Sequence, residues 1–376
     1  MRPAWIEISL PAIRRNIAAF REKISSHSQI MGIIKADAYG HGAVRVAEIL
    51  REEKVRHFGV ALIQEGVELR KNSFDEPILI LGYTQEEDFP MALNHGLTLT
   101  IWDHAQAIQL DKCAKEIGKH AIVHLKVDTG MGRIGYFPNN SSVEEIVKIS
   151  SMDNLIVEGI FSHLAWADNT ESDFSDIQFL RFQEFIADLR ERGIKIGLRH
   201  LSNSAGTINF PQMHLDLVRI GVSLYGLYPN LQMAGHPKIK LYPAMEIKSR
   251  LVNVKEVAEG TPLSYGCTYI TKGISIIGTV PMGYADGIPR LLSNNGDVLV
   301  RGRRCPIVGR ICMDQFMIDL TCLGNEVSVG DEIVILGSQG KDRISADEIA
   351  EKAGTISYEI VNRMSSRLPR KYIESE

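Results

Sequence analysis

The feature that most constrains the fold is a set of eight short apolar runs between residues 31 and 226, most of them separated by amphipathic stretches. The runs are MGIIKA (31–36), FGVAL (58–62), PILILG (77–82), LTLTIW (97–102), IVHLKV (122–127), VEGIFSHL (157–164), LRHLSN (198–203) and LVRIGVSLYG (217–226). The stretches between them carry apolar residues at helical spacing, as at Ile177, Leu180, Phe185 and Leu189. Eight successive strand–helix units predict an α/β fold, a (β/α)8 TIM-like barrel. A doubly wound open sheet is the alternative that the same alternation allows.

The pattern changes near residue 235. The segment NLQMAGHPKIKLYP (230–243) is polar and turn-rich and predicts a linker. Beyond it, strand-like runs are separated by Gly, Asn and Pro, and one helix is predicted in SADEIAEKAG (345–354). We therefore expect a barrel over residues 1–235 and a mainly β domain over residues 236–376. The first segments, IEISL and PAIRRNIAAFREKIS, predict a strand and a helix.

Composition excludes several classes of protein. Hydrophobic residues make up 44% of the chain and charged residues 23%, which predicts a folded protein with a sizeable core. The formal net charge of -4 gives no reason to expect nucleic acid as a partner. The N-terminal sequence has no signal-peptide pattern, and no apolar run is long enough to span a membrane. Five scattered cysteines fit a reducing compartment, so we expect a cytoplasmic protein.

Polar residues follow the predicted strands, and the catalytic residues of such barrels lie at the carboxyl ends of the strands. The candidates are Lys35, then Lys126, Asp128 and Arg133, then His163, then Asn203 and Ser204, and finally Arg219, Gly221 and Val222. Although they are scattered in sequence, closure of the barrel would bring them to one rim. This convergence is stronger support for a site than any single residue.

The stretch SNSAGT (202–207) predicts a helix start whose free N–H groups suit a phosphate, and it follows the seventh strand, where this fold binds phosphate. A plain helix cap is the alternative. Lys35 is either a solvated charge or an amine that loses its proton by desolvation and forms a Schiff base with an aldehyde. A reactive lysine beside a phosphate cradle suggests pyridoxal 5'-phosphate.

Metal chemistry is not expected. No His-x-His follows the first strand, and His163 and His200 have no carboxylates near them at ligand spacing. His120 and His124 bracket a predicted strand, and we interpret them as ordinary polar or packed histidines.

Eight segments, in this order, resemble the motifs of the bacterial alanine racemase family. They are IIKADAYGHG, KVDTGMGRIG, HLSNSAG, RIGVSLYG, SYGCTY, MGYADG, GRICMDQ and TISYEI. The resemblance covers essentially the whole chain. It implies a pyridoxal-phosphate barrel followed by a β domain, to which the N-terminal strand (residues 1–10) also belongs. It further implies a homodimer in which each β domain completes the partner's active site.

The resemblance also assigns roles in the interconversion of L- and D-alanine, which supplies D-alanine for peptidoglycan. Lys35 binds the cofactor and acts as one base, and Tyr265 of the other subunit is the second base on the opposite face. Because an ordinary tyrosine is a poor base at neutral pH, the family supports it through His163 and Arg219. Arg219 faces the pyridine nitrogen, whereas reasoning from residue type alone equally allows an arginine paired with a carboxylate.

Further residues are assigned by the same resemblance. The cofactor is bound by Tyr39, Arg133, His163, Asn203, Ser204, Arg219, Gly221, Val222 and Tyr358. Arg133 also binds the substrate carboxylate with Met313, which Cys312 and Asp314 support, and Tyr284 lines the entrance. Lys126 is expected to be carbamylated (N6-carboxylysine) and to orient Arg133.

Departures from the family pattern are small. Ser202 stands where alanine is frequent, and Cys267 follows SYG where larger polar residues are common. They put the fine substrate preference in doubt, not the chemistry, so a broad-spectrum or serine racemase on the same fold is an alternative. A decarboxylase on this barrel is a further rival, but decarboxylases have a different set of motifs in the second domain. A non-catalytic pyridoxal-phosphate-binding protein is a further alternative, although such proteins end after the barrel.

Overall fold

The computed structural model describes residues 2–375, which form two compact units. The barrel unit comprises residues 13–38 and 42–242, and the β unit comprises residues 2–12, 39–41 and 243–375. Elements are numbered along the chain, beginning with β1 (Ala4–Ser9) and α1 (Leu10–Lys23). No helix within residues 2–375 is both long enough and apolar enough to cross a membrane.

The barrel unit is built on one parallel sheet of eight strands. They are β2 (Gln29–Ile33), β3 (His57–Val60), β4 (Ile78–Ile80), β5 (Thr98–Ile101), β6 (Ala121–Lys126), β7 (Leu155–Phe161), β8 (Leu198–His200) and β9 (Leu217–Ile220). Their order is β8-β7-β6-β5-β4-β3-β2-β9. The two end strands are linked by single backbone bonds, such as Arg219 N to Ser202 O at 3.0 Å. The sheet is therefore a nearly closed barrel, as the sequence predicted.

Helices follow most strands of the barrel. They are α2 (Lys35–Gly40), α3 (Ala43–Glu52), α4 (Ile63–Lys71), α5 (Phe89–Asn94), α6 (His104–Ile117), α7 (Asn140–Ser150), α8 (Phe174–Glu191), α9 (Ser204–Asn209) and α10 (Leu231–Gly235). Local sequence sets their ends: the side chain of Asp103 accepts from Gln106 N at the start of α6, and Gly118 ends it in the left-handed conformation. The buried face of α8 includes Phe182, Phe185 and Leu189.

The β unit is a mainly antiparallel sheet. Its strands are β10 (Met245–Arg250), β11 (Asn253–Val257), β12 (Pro262–Leu263), β13 (Tyr269–Ile270), β14 (Ser275–Val280), β15 (Asp297–Val300), β16 (Arg303–Val308), β17 (Phe316–Asp319), β18 (Glu332–Gln339), β19 (Asp342–Ile344) and β20 (Arg370–Ile373). Two helices, α11 (Ala346–Ala353) and α12 (Ser357–Asn362), complete the unit. Strand β1 pairs antiparallel with β10 and parallel with β20.

Candidate active site

Lys35 begins a left-handed turn at the carboxyl end of β2. The strand ends at Ile33, two residues earlier than the sequence suggested, and φ is 53–54° from Ala36 to Tyr39. Each non-glycine residue in this conformation costs about 1–2 kcal/mol. Side chains hold the turn, because Glu65 Oε1 accepts from Ala36 N at 2.5 Å. Backbone strain that is maintained in this way is typical of functional segments.

The amine of Lys35 lies in a desolvated, cationic setting. Burial lowers the pKa of Lys35, Arg133 lowers it further, and Glu65 opposes both. The pKa of this amine is thus closer to neutral pH than that of an exposed lysine, and more of the amine is in its neutral form. That is the form that can act as a nucleophile or a base.

Lys126, the last residue of β6, is almost fully buried. Its Nζ donates to Val127 O at 2.8 Å. Burial, followed by the charge of Arg219, lowers the pKa of Lys126 to about 7. A large fraction of this amine is therefore neutral under ordinary conditions.

Asp128 shapes the loop that carries Arg133. Its Oδ1 accepts from the N–H groups of Gly130 and Gly132 at 2.9 and 3.0 Å, and its Oδ2 accepts from Arg133 N at 3.0 Å. Gly135 closes the loop with φ at 131°, and a Cβ there would lie 2.5 Å from Asp128 N. The loop therefore needs both the carboxylate and the glycine.

Arg219 on β9 is buried in the barrel and contacts two histidines. Its Nη1 donates to His200 Nδ1 at 2.8 Å, and its Nη2 lies 3.1 Å from His163 Nδ1. Nη2 also donates to the carbonyls of Ser162 and Leu201 at 2.8 and 2.9 Å. Burial lowers the pKa of Arg219 to about 9, which leaves it protonated at neutral pH.

The mouth of the barrel is consequently rich in positive charge. Among residues 2–375, no carboxylate forms an ion pair with Lys35, Lys126, Arg133 or Arg219. The alternative of an Arg219–carboxylate pair is thus wrong. Burial and the neighbouring charges, Arg219 first, hold the pKa of His163 well below its usual value. Two guanidinium groups and two amines without a directly paired carboxylate suit an anionic ligand.

A small polar cradle lies beside these cations. Asn203 caps α9, since its side chain accepts from Gly206 N at 2.9 Å, as the sequence predicted. Ser204 Oγ accepts from Gly221 N at 3.0 Å. Gly221 and Val222 were expected inside the eighth strand, but β9 ends at Ile220 and Val222 begins a 3₁₀ turn.

Sequence reasoning missed the contacts among three polar residues of β6, β7 and β8. His124, which was interpreted as ordinary, lies 2.8 Å from His200 and 3.0 Å from Glu158, whereas His120 is exposed. The alternation of IVHLKV would place His124 on the opposite side of β6 from Val123. The contact of His124 with Glu158 could not be predicted from the sequence, because the pairing of β6 with β7 shifts by one residue at this point.

The remaining polar candidates lie in the β unit, where backbone contacts hold several of them together. Tyr284 N donates to Cys312 O at 3.1 Å, and Gly283 packs so closely that a Cβ would lie 2.3 Å from Met313 O. Asp314 pairs with Arg367 at 2.6 Å.

Tyr265 also lies in the β unit. The residue before it, Ser264, has φ at 62°, and its Oγ donates to Arg310 O at 2.6 Å. Tyr265 and Met313 are 72% and 53% exposed, which leaves both side chains available to contact another molecule.

Tyr39 and Tyr358 form an aromatic pair in the β unit. Their ring centroids lie 6.4 Å apart with an interplanar angle of 56°. Burial raises the pKa of Tyr39 to about 12. Tyr39 therefore presents a neutral hydroxyl at physiological pH.

The described residues contain no group of three or more His, Cys, Asp or Glu side chains that could hold a metal ion. The chemistry available in the barrel mouth is that of amines, guanidinium groups and imidazoles. These features define a class of protein: a nearly closed parallel barrel with a lysine in a cationic mouth, followed in sequence by a mainly β unit.

Comparison with known proteins gives the family. Residues 8–229 match the model "Alanine racemase, N-terminal domain" and residues 244–372 match "Alanine racemase, C-terminal domain". An alanine racemase of Methanococcus maripaludis is 46% identical over 371 residues, covering 99% of each chain. The chain belongs to the alanine racemase family, whose members are isomerases.

Solved structures agree with this assignment. An alanine racemase of Clostridium difficile 630 superposes with a TM-score of 0.95 at 39% identity, covering 100% of this chain and 97% of that one. An alanine racemase of Bacillus anthracis with bound L-Ala-P has a TM-score of 0.95 at 36% identity, covering 100% and 96%. The fold and the family expected from the sequence are confirmed.

Proposed function

We propose that this protein interconverts L- and D-alanine, with pyridoxal 5'-phosphate as cofactor, as a cytoplasmic homodimer that supplies D-alanine for peptidoglycan. The observation that carries the proposal is the cluster of Lys35, Lys126, Arg133 and Arg219 without ion-paired carboxylates, in a chain of the alanine racemase family. The phosphate, the phenolic oxygen and the substrate carboxylate are all anionic and match this cluster.

The residues at the barrel mouth fit such a cofactor. The Nε of Arg219 donates to no other described residue, which leaves one N–H of a buried guanidinium to serve an acceptor such as a pyridine nitrogen. Ser204, with Gly221, Val222 and Tyr358, would hold the phosphate end. When bound, the cofactor withdraws electrons from the Cα of an amino acid joined to it and so makes the Cα proton acidic.

Two bases on opposite faces of the substrate would do the work of racemisation. We assign Lys35 Nζ to one face, where its lowered pKa favours removal of the Cα proton. Tyr265 of the partner subunit is assigned to the other face. Because one base removes a proton and the other returns one from the opposite side, the configuration inverts while the substrate stays in place.

Arg133 and Met313 are assigned to the substrate carboxylate, and Tyr284 to the entrance. Carbamylation of Lys126 needs a neutral amine, which its pKa of about 7 supplies. The resulting negative charge would lie beside Arg133 and Arg219 and offset their positive charges. His163 Nδ1 lies 3.1 Å from Arg219 Nη2, and we assign the other ring nitrogen as a donor toward Tyr265 of the partner subunit.

The test is racemisation by the purified dimer with pyridoxal 5'-phosphate, followed by the change in optical rotation of L-alanine. Lys35→Ala should lower kcat by at least about a thousandfold, as expected for loss of a covalent and basic group. The matched control is Lys119→Ala, an exposed lysine that contacts Leu93 and Asn94, which should retain activity. Full activity of Lys35→Ala, or faster racemisation of serine or lysine than of alanine, would contradict the proposal.

A further inference from the structure

A chain of three hydrogen bonds crosses the barrel from β7 to β9. Glu158 Oε2 lies 3.0 Å from His124 Nε2, His124 Nδ1 lies 2.8 Å from His200 Nε2, and His200 Nδ1 lies 2.8 Å from Arg219 Nη1. His124 and His200 are 2% and 0% exposed. The family resemblance gave no role to Glu158, His124 or His200.

The donor at one end fixes every proton in this chain. Arginine only donates, so His200 Nδ1 must accept from Arg219. Burial and Arg219 keep the pKa of His200 well below its usual value, and the neutral ring therefore carries its proton on Nε2. That proton is donated to His124 Nδ1, and His124 in turn donates Nε2–H to Glu158. The hydrogen bond with His124 outweighs the effect of burial and lowers the pKa of Glu158, so the chain ends in a carboxylate.

The backbone is built to make these contacts. Val123 pairs with Val157 and His124 pairs with Gly159, so Glu158 is an extra residue that interrupts the ladder. Such bulges re-aim one side chain. A Cβ on Gly159 would lie 2.8 Å from His124 Cε1, so glycine leaves the space that the imidazole occupies.

Packing fixes the rings between the two charged ends. The ring of Phe161 stacks on His200 with centroids 4.6 Å apart and an interplanar angle of 3°. The guanidinium of Arg219 lies 5.3 Å from the centroid of the same phenyl ring. His57 is the other titratable group facing this end of the chain, near Glu158 and His124, and burial lowers its pKa. Lys126 faces His200 from β6.

We propose that Glu158, through His124 and His200, is the remote counter-charge of Arg219 and positions that guanidinium for the reaction. Among the described residues, no carboxylate pairs directly with Arg219. The carboxylate of Glu158, two imidazoles away, compensates its charge without occupying Nε–H, the donor assigned to the cofactor. Glu158, His124 and His200 are positioning residues, and the inference rests on the proposed racemisation.

The experiment uses Glu158→Gln, which keeps an acceptor for His124 but removes the charge, and His124→Phe, which breaks both bonds of one ring. Each variant should lower kcat about tenfold while KM for alanine changes less than about twofold, since the substrate contacts are not touched. Because both act through one chain, the double variant should lose no more than the more affected single variant. Additive losses, or wild-type kcat in Glu158→Gln, would overturn the proposal.

A second readout does not depend on activity. In protein labelled at histidine nitrogens, NMR should place the protons of His200 and His124 on Nε2, and Glu158→Gln should weaken the hydrogen bonds and move these proton signals upfield. A proton on Nδ1 of His200 in the wild type would refute the chain. If the wild type does not racemise alanine, the proposed function fails while this measurement still tests the chain. The control is Glu76→Gln, which removes an ion pair with Arg51 on a different surface and should leave kcat and the signals unchanged.

Discussion

Arg219 Nη2 lies 3.1 Å from His163 Nδ1, while Nη1 of the same guanidinium donates to His200 at 2.8 Å. One buried side chain thereby contacts two imidazoles, and because arginine only donates, His200 Nδ1 accepts from it. The planar fork of arginine makes this possible, because its donors point in fixed directions.

Arg219→Lys should therefore be harmful although it keeps the charge. An ammonium group has three donors and no fork, so at least one of the four acceptors around residue 219 is left without a partner. We expect a loss of about 2 kcal/mol in the free energy of unfolding, measured by urea denaturation, and a lower kcat. The control is Arg199→Lys, at a partly exposed pair with Asp216, where the loss should be about 1 kcal/mol or less. Equal losses at the two positions would contradict this account.

The lowered pKa of Lys126 predicts that the stability of the protein depends on pH in buffer free of carbon dioxide. The pKa of Lys126 is about 7 in the folded protein and 10.5 ordinarily, so the unfolded chain binds more protons between these values. The free energy of unfolding should rise with pH through that window, by up to roughly 5 kcal/mol. Lys126→Met should lack the rise, and its advantage over the wild type should be greatest below pH 7.

Bicarbonate provides the complementary measurement at the same residue. If Lys126 is carbamylated, adding bicarbonate at a pH above 7 should raise the Tm of the wild type and leave that of Lys126→Met unchanged. Mass spectrometry of the intact protein under mild conditions should show the added mass of one carbon dioxide. A similar increase of Tm in both proteins would indicate a general effect of the salt.

Asp128→Asn should disturb substrate binding more than turnover. The amide can keep the two bonds from Gly130 and Gly132, but its NH2 would face the N–H of Arg133. We expect a destabilisation of about 1–2 kcal/mol and a larger change in KM for alanine than in kcat, measured by steady-state kinetics. The control is Asp103→Asn, which still caps α6 and should leave both constants unchanged.

The same carboxylate gives a second test by pH. Burial alone would raise the pKa of Asp128, but the N–H groups of Gly132 and Gly130 outweigh it and lower the pKa below 3.8. Its stabilisation is present above that value and is lost as the pH falls through the folded pKa. The difference in stability between the wild type and Asp128→Asn should therefore shrink at acid pH.

Ala36→Gly should stabilise the protein, which is unusual for a glycine substitution. Ala36 has φ at 53°, where glycine avoids the penalty of about 1–2 kcal/mol, less its own entropic cost. We expect a gain of about 0.5–1 kcal/mol in the free energy of unfolding, measured by thermal or urea denaturation. Ala18→Gly, at an exposed position of the right-handed helix α1, should instead lose about 1 kcal/mol. The same sign at both positions would refute the strain argument.

The barrel was predictable because its signal is periodic and repeated. Each of the eight apolar runs overlaps a strand, although the bounds differ, as where β2 begins at Gln29, before its run, and β8 covers only Leu198–His200 of the run LRHLSN. The predicted apolar face of α8 was partly wrong, since Leu180 is 55% exposed and Phe182 is buried instead. Helical spacing indicates the side of the helix that is buried only approximately, and tertiary packing decides which apolar residues on that side lose contact with solvent.

Parts of the β unit could not be predicted. Strand β16 contains Pro306, which argues against a strand in the middle of a sheet, and yet it pairs on both sides. The candidate site was predictable where a charged residue follows an apolar run, as at Lys35 and Lys126. The left-handed turn and the contact between His124 and Glu158 depend on backbone conformations that alternation of side chains does not encode.

The extra residue at Glu158 has a consequence for how this strand can change over time. On either side of it, inward and outward positions alternate with opposite parity. Deleting Glu158 would restore a regular ladder and leave both halves of β7 facing as they do now, but it would remove the carboxylate that contacts His124. A deletion or insertion at another position between Leu155 and Phe161 would shift part of the strand by one residue and turn its side chains to the opposite face, whereas substitutions there keep the pairing. A sequence alignment of related chains should therefore contain no gap here, even where the side chains differ.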